Sequence, residues 1–267
     1  MLKRTTIVLA AAATAASAQS LGGLTDGLSQ TCTSAALSLV TSSDFATCAS
    51  LGSLISVFTS SGSIVQPING WLESVCASSN NCTDAQLQNA TAVIDQGCAT
   101  EESNGNAIVS TVRQLVENWN GVKEGLCLAS TSNSTFCVTN LLSDIQNATA
   151  TDLSLSTLTN FNASSFTSIP ASAVCTDCSH ALISKWGPIF GANSSDTITG
   201  SIAQTCGSSF NDGEVPTTVS EKSSSNSTSG NGAVESTPLS GAPGAFGSVK
   251  ALGAGALAVA GGLALLA

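Results

Sequence analysis

Three groups of residues in this chain could do chemistry. Cys175-Thr176-Asp177-Cys178 is the only CxxC, and His180, two residues on, is the only histidine. In a thioredoxin-like fold such a pair is redox-active, its first thiol acidified at a helix N-terminus. With a second ligand pair it would hold zinc. The redox reading needs a βαβ context, and no such pattern precedes the motif. The zinc reading needs further ligands, and His180 lies off the cysteine face. A Ser-His-Asp or Cys-His site would have to use His180, yet no Gly-x-Ser-x-Gly elbow surrounds any serine. His180 is therefore expected on the surface, and Cys175 and Cys178 are expected to be structural disulfide halves. The third group is Glu101-Glu102. Glycosidase carboxylates act across a substrate from separate positions, whereas adjacent glutamates point apart, and the chain has no tyrosine for sugar stacking. Trp71, Trp119 and Trp186 fall in or beside apolar stripes and read as core. The chain is thus read as a non-enzyme, and no catalytic, cofactor or metal residue is assigned.

The elements that would position these groups are written in the cysteines. There are ten, Cys32, Cys48, Cys76, Cys82, Cys98, Cys127, Cys137, Cys175, Cys178 and Cys206. An even count in an exported chain predicts five disulfides. Cys32 to Cys48 and Cys82 to Cys98 are both 16 residues; Cys48 to Cys76 is 28 and Cys98 to Cys127 is 29. Letters repeat with the spacing. Cys32-Thr33-Ser34-Ala35-Ala36-Leu37 matches Cys82-Thr83-Asp84-Ala85-Gln86-Leu87. Asn69-Gly70 and Glu73 before Cys76 match Asn120-Gly121 and Glu124 before Cys127. A duplicated unit follows, spanning about 32–76 and 82–127. A degraded third copy is expected over 137–206, because Gln146-Asn147-Ala148-Thr149-Ala150 repeats Gln88-Asn89-Ala90-Thr91-Ala92.

The units read as helices, giving an all-α, disulfide-stapled domain built from two, or with the degraded copy three, cysteine-framed repeats. Thr83-x-x-Gln86 is a capping box. Leu87, Ile94 and Cys98 then share a face, with Asn89 opposite. Ile108, Val109, Val112, Leu115, Val116 and Trp119 form an apolar stripe, backed by an Arg113–Glu117 i,i+4 pair. Phe45, Cys48, Leu51, Ile55 and Phe58 outline another helix, weakened by Gly52. Pro67 can open a helix carrying Ile68, Leu72, Val75 and Cys76. After Pro170, Val174, Cys175, Cys178 and Leu182 share a face.

Helix geometry bears on connectivity. A helix over 83–98 separates its ends by about 22 Å, so Cys82 cannot bond Cys98. Returning helices would pair Cys82 with Cys127 and Cys32 with Cys76, leaving Cys48 and Cys98 to link the units. The rival scheme uses short loops, Cys76–Cys82 and Cys127–Cys137.

The two ends carry targeting patterns. Residues 1–18 have a basic start (Lys3, Arg4), an apolar run and an Ala16-Ser17-Ala18 site, which predicts a secretory signal peptide. The cysteine-rich domain is placed at 19–212. Residues 213–240, rich in Ser, Thr, Gly and Asn, read as a disordered stalk. Residues 241–267 read as a GPI-attachment signal with an apolar tail, with Ser240 or Gly241 as the attachment residue. Seven N-glycosylation sequons stand at Asn81, Asn89, Asn133, Asn147, Asn162, Asn193 and Asn226.

After processing, seventeen acids would face four bases, Arg113, Lys123, Lys185 and Lys222. That balance excludes nucleic acid and anionic lipid surfaces as partners, since both need clustered Lys/Arg. The partners left open are the cell membrane through a GPI anchor, cell-wall polysaccharide, and a small lipid held between apolar helices.

Together these features resemble fungal secreted proteins that carry a cysteine-rich domain of unknown function. The likeness runs from about Cys32 to Cys206 and rests on segments such as Phe45-Ala46-Thr47-Cys48 and Ala173-Val174-Cys175-Thr176-Asp177-Cys178. It implies a location at the cell surface or wall and names no activity. The tight Cys-x-Cys spacing of haem-binding eight-cysteine surface domains is missing. Six-cysteine sterol-binding elicitors share only the helical, stapled architecture. The expectation is an extracellular glycoprotein, GPI-anchored to the plasma membrane or transferred to the wall, with a structural or adhesive role. A lipid- or sterol-binding module is the alternative, and a secreted hydrolase a weaker one.

Overall fold

The computed structural model describes residues 28–222 apart from 42, 55, 58–59, 61, 78–80, 155–156, 158–168 and 191–197. The predicted signal peptide, most of the stalk and the GPI-attachment segment with Ser240 and Gly241 lie outside the described residues. So do the sequons at Asn162, Asn193 and Asn226, and the apolar positions Ile55 and Phe58.

The architecture is helical, as expected. The first unit contains α1 (Gln30–Thr41), α2 (Asp44–Cys48), a 3₁₀ turn (Leu51–Leu54) and α3 (Val65–Val75). The second contains α4 (Asp84–Gly97), α5 (Ala99–Ser103), α6 (Ala107–Glu117) and α7 (Trp119–Leu126). Then come β1 (Leu128–Ser130), α8 (Cys137–Thr149), α9 (Ala171–Val174), α10 (Asp177–Phe190), α11 (Ile198–Cys206) and β2 (Val219–Glu221). One apolar core runs through all of these elements except α5, whose buried residue is Glu101.

Local signals explain the element starts. The Thr83 hydroxyl accepts from Gln86 N, and the Gln86 side chain returns to Thr83 N at 2.8 Å, so the capping box forms. Asn106 caps α6 by accepting from Ile108 N and Val109 N. Val109, Val112, Leu115 and Val116 are buried, while Arg113 reaches Glu117 at 2.7 Å on the other side. The helix expected from Phe45 to Phe58 does not run through. It ends at Cys48, and Ser50 takes a left-handed φ of 52°. Trp71 Nε1 donates to the Ala49 carbonyl at 3.2 Å, satisfying an acceptor that the break releases. Pro67 does not open its helix but lies in the first turn of α3, where no intrahelical N–H is lost.

All ten cysteines are paired, but not as either scheme predicted. The bonds are Cys32–Cys98, Cys48–Cys82, Cys76–Cys127, Cys137–Cys178 and Cys175–Cys206. Cys82 is indeed kept from Cys98 by α4. The expected Cys82–Cys127, Cys32–Cys76 and Cys48–Cys98 bonds fail for a common reason. α1 packs side by side on α4 rather than each unit folding back on itself. Gly97 permits that approach, since a Cβ there would lie 2.1 Å from the Ala35 Cβ. The resulting pattern has internal symmetry. The first cysteine of each unit bonds the second cysteine of the other, and the third bonds the third. Exchanging the units maps the set onto itself, as in an isologous dimer.

The rest of the chain packs on this pair. α7 meets α10, α3 meets α8, and α8 meets α10. The third copy is not a positional repeat. Gln88–Ala92 lies mid-helix in α4, whereas the identical Gln146–Ala150 run ends α8, with Ala150 at a φ of 49°. Gln146 Oε1 instead accepts from Ser63 Oγ at 2.7 Å and Leu153 N at 3.1 Å, fastening the entry to α3.

The domain also reaches past the boundary expected at residue 212. β2 pairs antiparallel with β1, with Leu128 opposite Glu221 and Ser130 opposite Val219. Lys222 N donates to Cys127 O at 2.8 Å, and Lys222 Nζ lies 4.6 Å over the Phe136 ring. Buried Val219 gives this short strand an apolar anchor, so the start of the expected stalk belongs to the fold.

Candidate functional site

The CxxC cysteines do not bond each other. Cys178 joins Cys137 on α8 and Cys175 joins Cys206 on α11, so both sulfurs are structural and neither is a free thiol. A helix break at Cys175–Thr176 sends the two side chains to different partners.

His180 corrects the expectation of a freely exposed histidine. Its side chain is 16% exposed, and Nε2 lies 2.8 Å from Asp212 Oδ1. Its ring sits 5.0 Å from that of Phe210. The turn over Ser208–Asn211 folds back on α10 and covers it. Hydrogen bonds from Glu214 N–H and then from His180 hold the Asp212 carboxyl below the usual range. The His180–Asp212 contact fastens the segment that follows α11 onto α10.

Glu101 and Glu102 point apart, as expected. Glu101 is buried, and its Oε1 accepts from Ser29 N at 2.6 Å, just before α1. That backbone bond chiefly lowers its pKa. Glu102 faces Arg113 at 3.2 Å, which also binds Asp95 at 2.7 Å and Glu117 at 2.7 Å. The Asp95 bond, then the charges of Glu117, Asp95 and Glu102, raise the guanidinium pKa. These carboxylates are spent on one arginine beside an open depression of about 680 Å³.

The three tryptophans are each 2% exposed, within the core. Trp119 meets Phe45 edge-on at 5.3 Å between ring centroids, joining the two units. Trp186 donates to Val122 O at 3.1 Å.

The sequons at Asn81, Asn89, Asn133 and Asn147 are all exposed. Asn81 differs from the others in its surroundings. It helps line a cavity of about 490 Å³ beside the Cys76–Cys127 disulfide, with Asn120, Lys123, Glu124, Glu221 and Lys222. Lys123 Nζ donates to Asn81 Oδ1 at 2.8 Å, and burial lowers the Lys123 pKa. Glu124 is held by Lys185 Nζ at 2.9 Å. Lys222 Nζ donates to Ser134 O at 2.8 Å. This polar, mixed-charge hollow draws on the segment between units, on α7 and on the C-terminal strand. Beyond the Asn81 sequon no sequence signal marks it, because the residues that meet there are up to 146 positions apart.

No curated protein and no solved structure matches the chain. The model of a domain of unknown function, DUF7729, matches residues 22–215, from before α1 to just past the Asp212 contact. That span covers nearly the whole disulfide-stapled fold, and the chain belongs to this family.

Proposed function

We propose that this protein is a secreted glycoprotein of fungal type, GPI-anchored at the plasma membrane or passed on to the cell wall, with a structural or adhesive role. The observation that carries the reading is the complete pairing of ten cysteines into five disulfides. Such density belongs to oxidising compartments. The exposed sequons at Asn81, Asn89, Asn133 and Asn147 are compatible with a glycan coat. Tryptophans that would have lined a lipid cavity are spent on the core, which favours this reading over a lipid carrier.

The test is expression of the full chain in a fungal host. Phosphatidylinositol-specific phospholipase treatment of membranes should release the protein, and deglycosylation should sharpen and lower its gel band. Retention in the cytosol, or membrane protein left unreleased together with no wall-bound fraction, defeats the proposal.

A further inference from the structure

We propose that the cavity beside the Cys76–Cys127 disulfide is the seat of the first sugars of the N-glycan carried by Asn81 itself. This inference rests on the glycoprotein reading and goes beyond it, because it gives one glycan a fixed place in the fold.

The acceptor lies in the cavity wall. Asn81-Cys82-Thr83 is a sequon, and Asn81 is exposed. Its Oδ1 is already held by Lys123 Nζ at 2.8 Å. Among the described residues nothing accepts from its Nδ2, the atom that carries the sugar. Attachment leaves Oδ1 intact, so the lysine contact survives and orients the linkage. In the transfer, the donor is a lipid-diphosphate oligosaccharide of the secretory pathway. Its C1–O bond breaks, the diphosphate leaves with the electron pair, Nδ2–C1 forms, and Nδ2 gives up one proton.

The lining suits an N-acetylated sugar. Acetamido and hydroxyl groups both donate and accept, and they need partners of both kinds. Asn120 supplies an amide, Lys123 and Lys222 supply ammonium donors, and Glu124 and Glu221 supply carboxylate acceptors. The volume of about 490 Å³ is that of a small-ligand site. The other exposed sequons of the described residues stand outside it. Asn89 stands on the outer face of α4, Asn147 in the last turn of α8, and Asn133 in a turn, and none of them lines this cavity. A glycan seated here would touch the inter-unit segment, α7 and β2 together. It would therefore fasten three parts of the fold.

The test uses the full-length glycoprotein bearing oligomannose chains, with each site followed by mass spectrometry. An endoglycosidase that cuts between the two core N-acetylglucosamines is applied to native and denatured protein. Seating predicts that Asn81 is cut roughly tenfold more slowly in the native state, equivalent to about 1.4 kcal/mol of protection. Asn89 and Asn147 should show no comparable slowing. Lys222→Ala and Asn120→Ala, confirmed as folded by circular dichroism, should each speed native cutting at Asn81. If other sequons carry glycans while Asn81 is bare, is cut equally fast in both states, or is unaffected by both variants, this inference alone fails. If no sequon carries a glycan, the glycoprotein reading fails with it.

Discussion

The indole of Trp186 lies directly against Gly125. A Cβ on that glycine would come 2.1 Å from Nε1 and 2.6 Å from Cε2. The ring cannot swing aside without losing its 3.1 Å bond to Val122 O. Helix propensity favours alanine over glycine by about 1 kcal/mol, and overpacking costs about 1–3 kcal/mol, so sterics should win. Gly125→Ala is expected to lower the melting temperature by several degrees. Gly97→Ala should do the same, because Ala35 opposite it has no rotamer to yield. Gly70→Ala, with nothing within 4 Å of its Cβ, should be neutral or stabilising. Thermal unfolding of the three variants checks the ranking.

The tryptophans should respond unequally to phenylalanine. Trp71 and Trp186 donate to the Ala49 and Val122 carbonyls. Trp119 Nε1 is buried without a hydrogen-bond partner among the described residues. Trp71→Phe therefore strands the Ala49 carbonyl, Trp186→Phe removes a second bond to a carbonyl already inside α7, and Trp119→Phe removes an unpaired donor. Trp71→Phe is expected to cost about 1–2 kcal/mol more than Trp119→Phe, with Trp186→Phe between them, measured by chemical denaturation.

Two aspartates should give opposite pH signatures. Asp212 is held below its ordinary pKa by Glu214 N–H and His180, so its contribution is present above about pH 4 and is lost as pH falls through the folded value. Asp212→Asn should be less stable than wild type at neutral pH, with the gap closing in acid. Asp144 is pushed up by burial, so it carries a penalty that is absent below about pH 4 and grows as pH rises. Asp144→Asn should be the more stable protein at neutral pH, and that gain should vanish in acid. Denaturation curves between pH 3 and pH 7 separate the two.

Peptide mapping without reduction should recover Cys32–Cys98, Cys48–Cys82 and Cys76–Cys127. The last closes a loop with a sequence separation of 51. Replacing both Cys76 and Cys127 by serine is expected to cost about 2–5 kcal/mol. A map with Cys82 bonded to Cys127 would refute the side-by-side packing of α1 and α4.

Much of the fold is legible in the sequence because it is local. The Thr83–Gln86 box, the Val109–Val116 stripe and the Arg113–Glu117 pair depend on residues within one or two turns of each other. The duplication is equally visible in the cysteine spacing. The pairing was not, because it depends on whether a unit folds on itself or on its copy, and Gly97 facing Ala35 settles that only in three dimensions. The candidate site was legible in part. Asn81 is marked by its sequon, but Lys123 reaches it and Lys222 joins the same cavity only through tertiary packing. His180 misled because its cover comes from Phe210 and Asp212, some thirty residues downstream.

The turn that carries Asn133 should be the point of proteolytic attack. Residues 131–134 are exposed, and Ser134 takes a φ of 56°. A glycan on Asn133 would shield them. Asn133→Gln is expected to be nicked there by a broad-specificity protease several-fold faster than wild type, while Asn89→Gln is not. Gel electrophoresis without reductant reads the outcome, and equal rates for the two variants would refute the shield.

What such a nick would do follows from the order of the crossing bonds. Three disulfides interlock residues 32–127, and two more interlock 137–206. A single cut inside either stretch opens a loop but releases nothing. Between Cys127 and Cys137 no disulfide spans the chain, so a cut there parts the protein into two separately closed covalent bodies. One short hairpin is thus the molecule's only seam of ordinary peptide across its stapled length. Outside the reach of a reducing cytosol, the chain's integrity under proteolysis would depend on how well those few residues are covered.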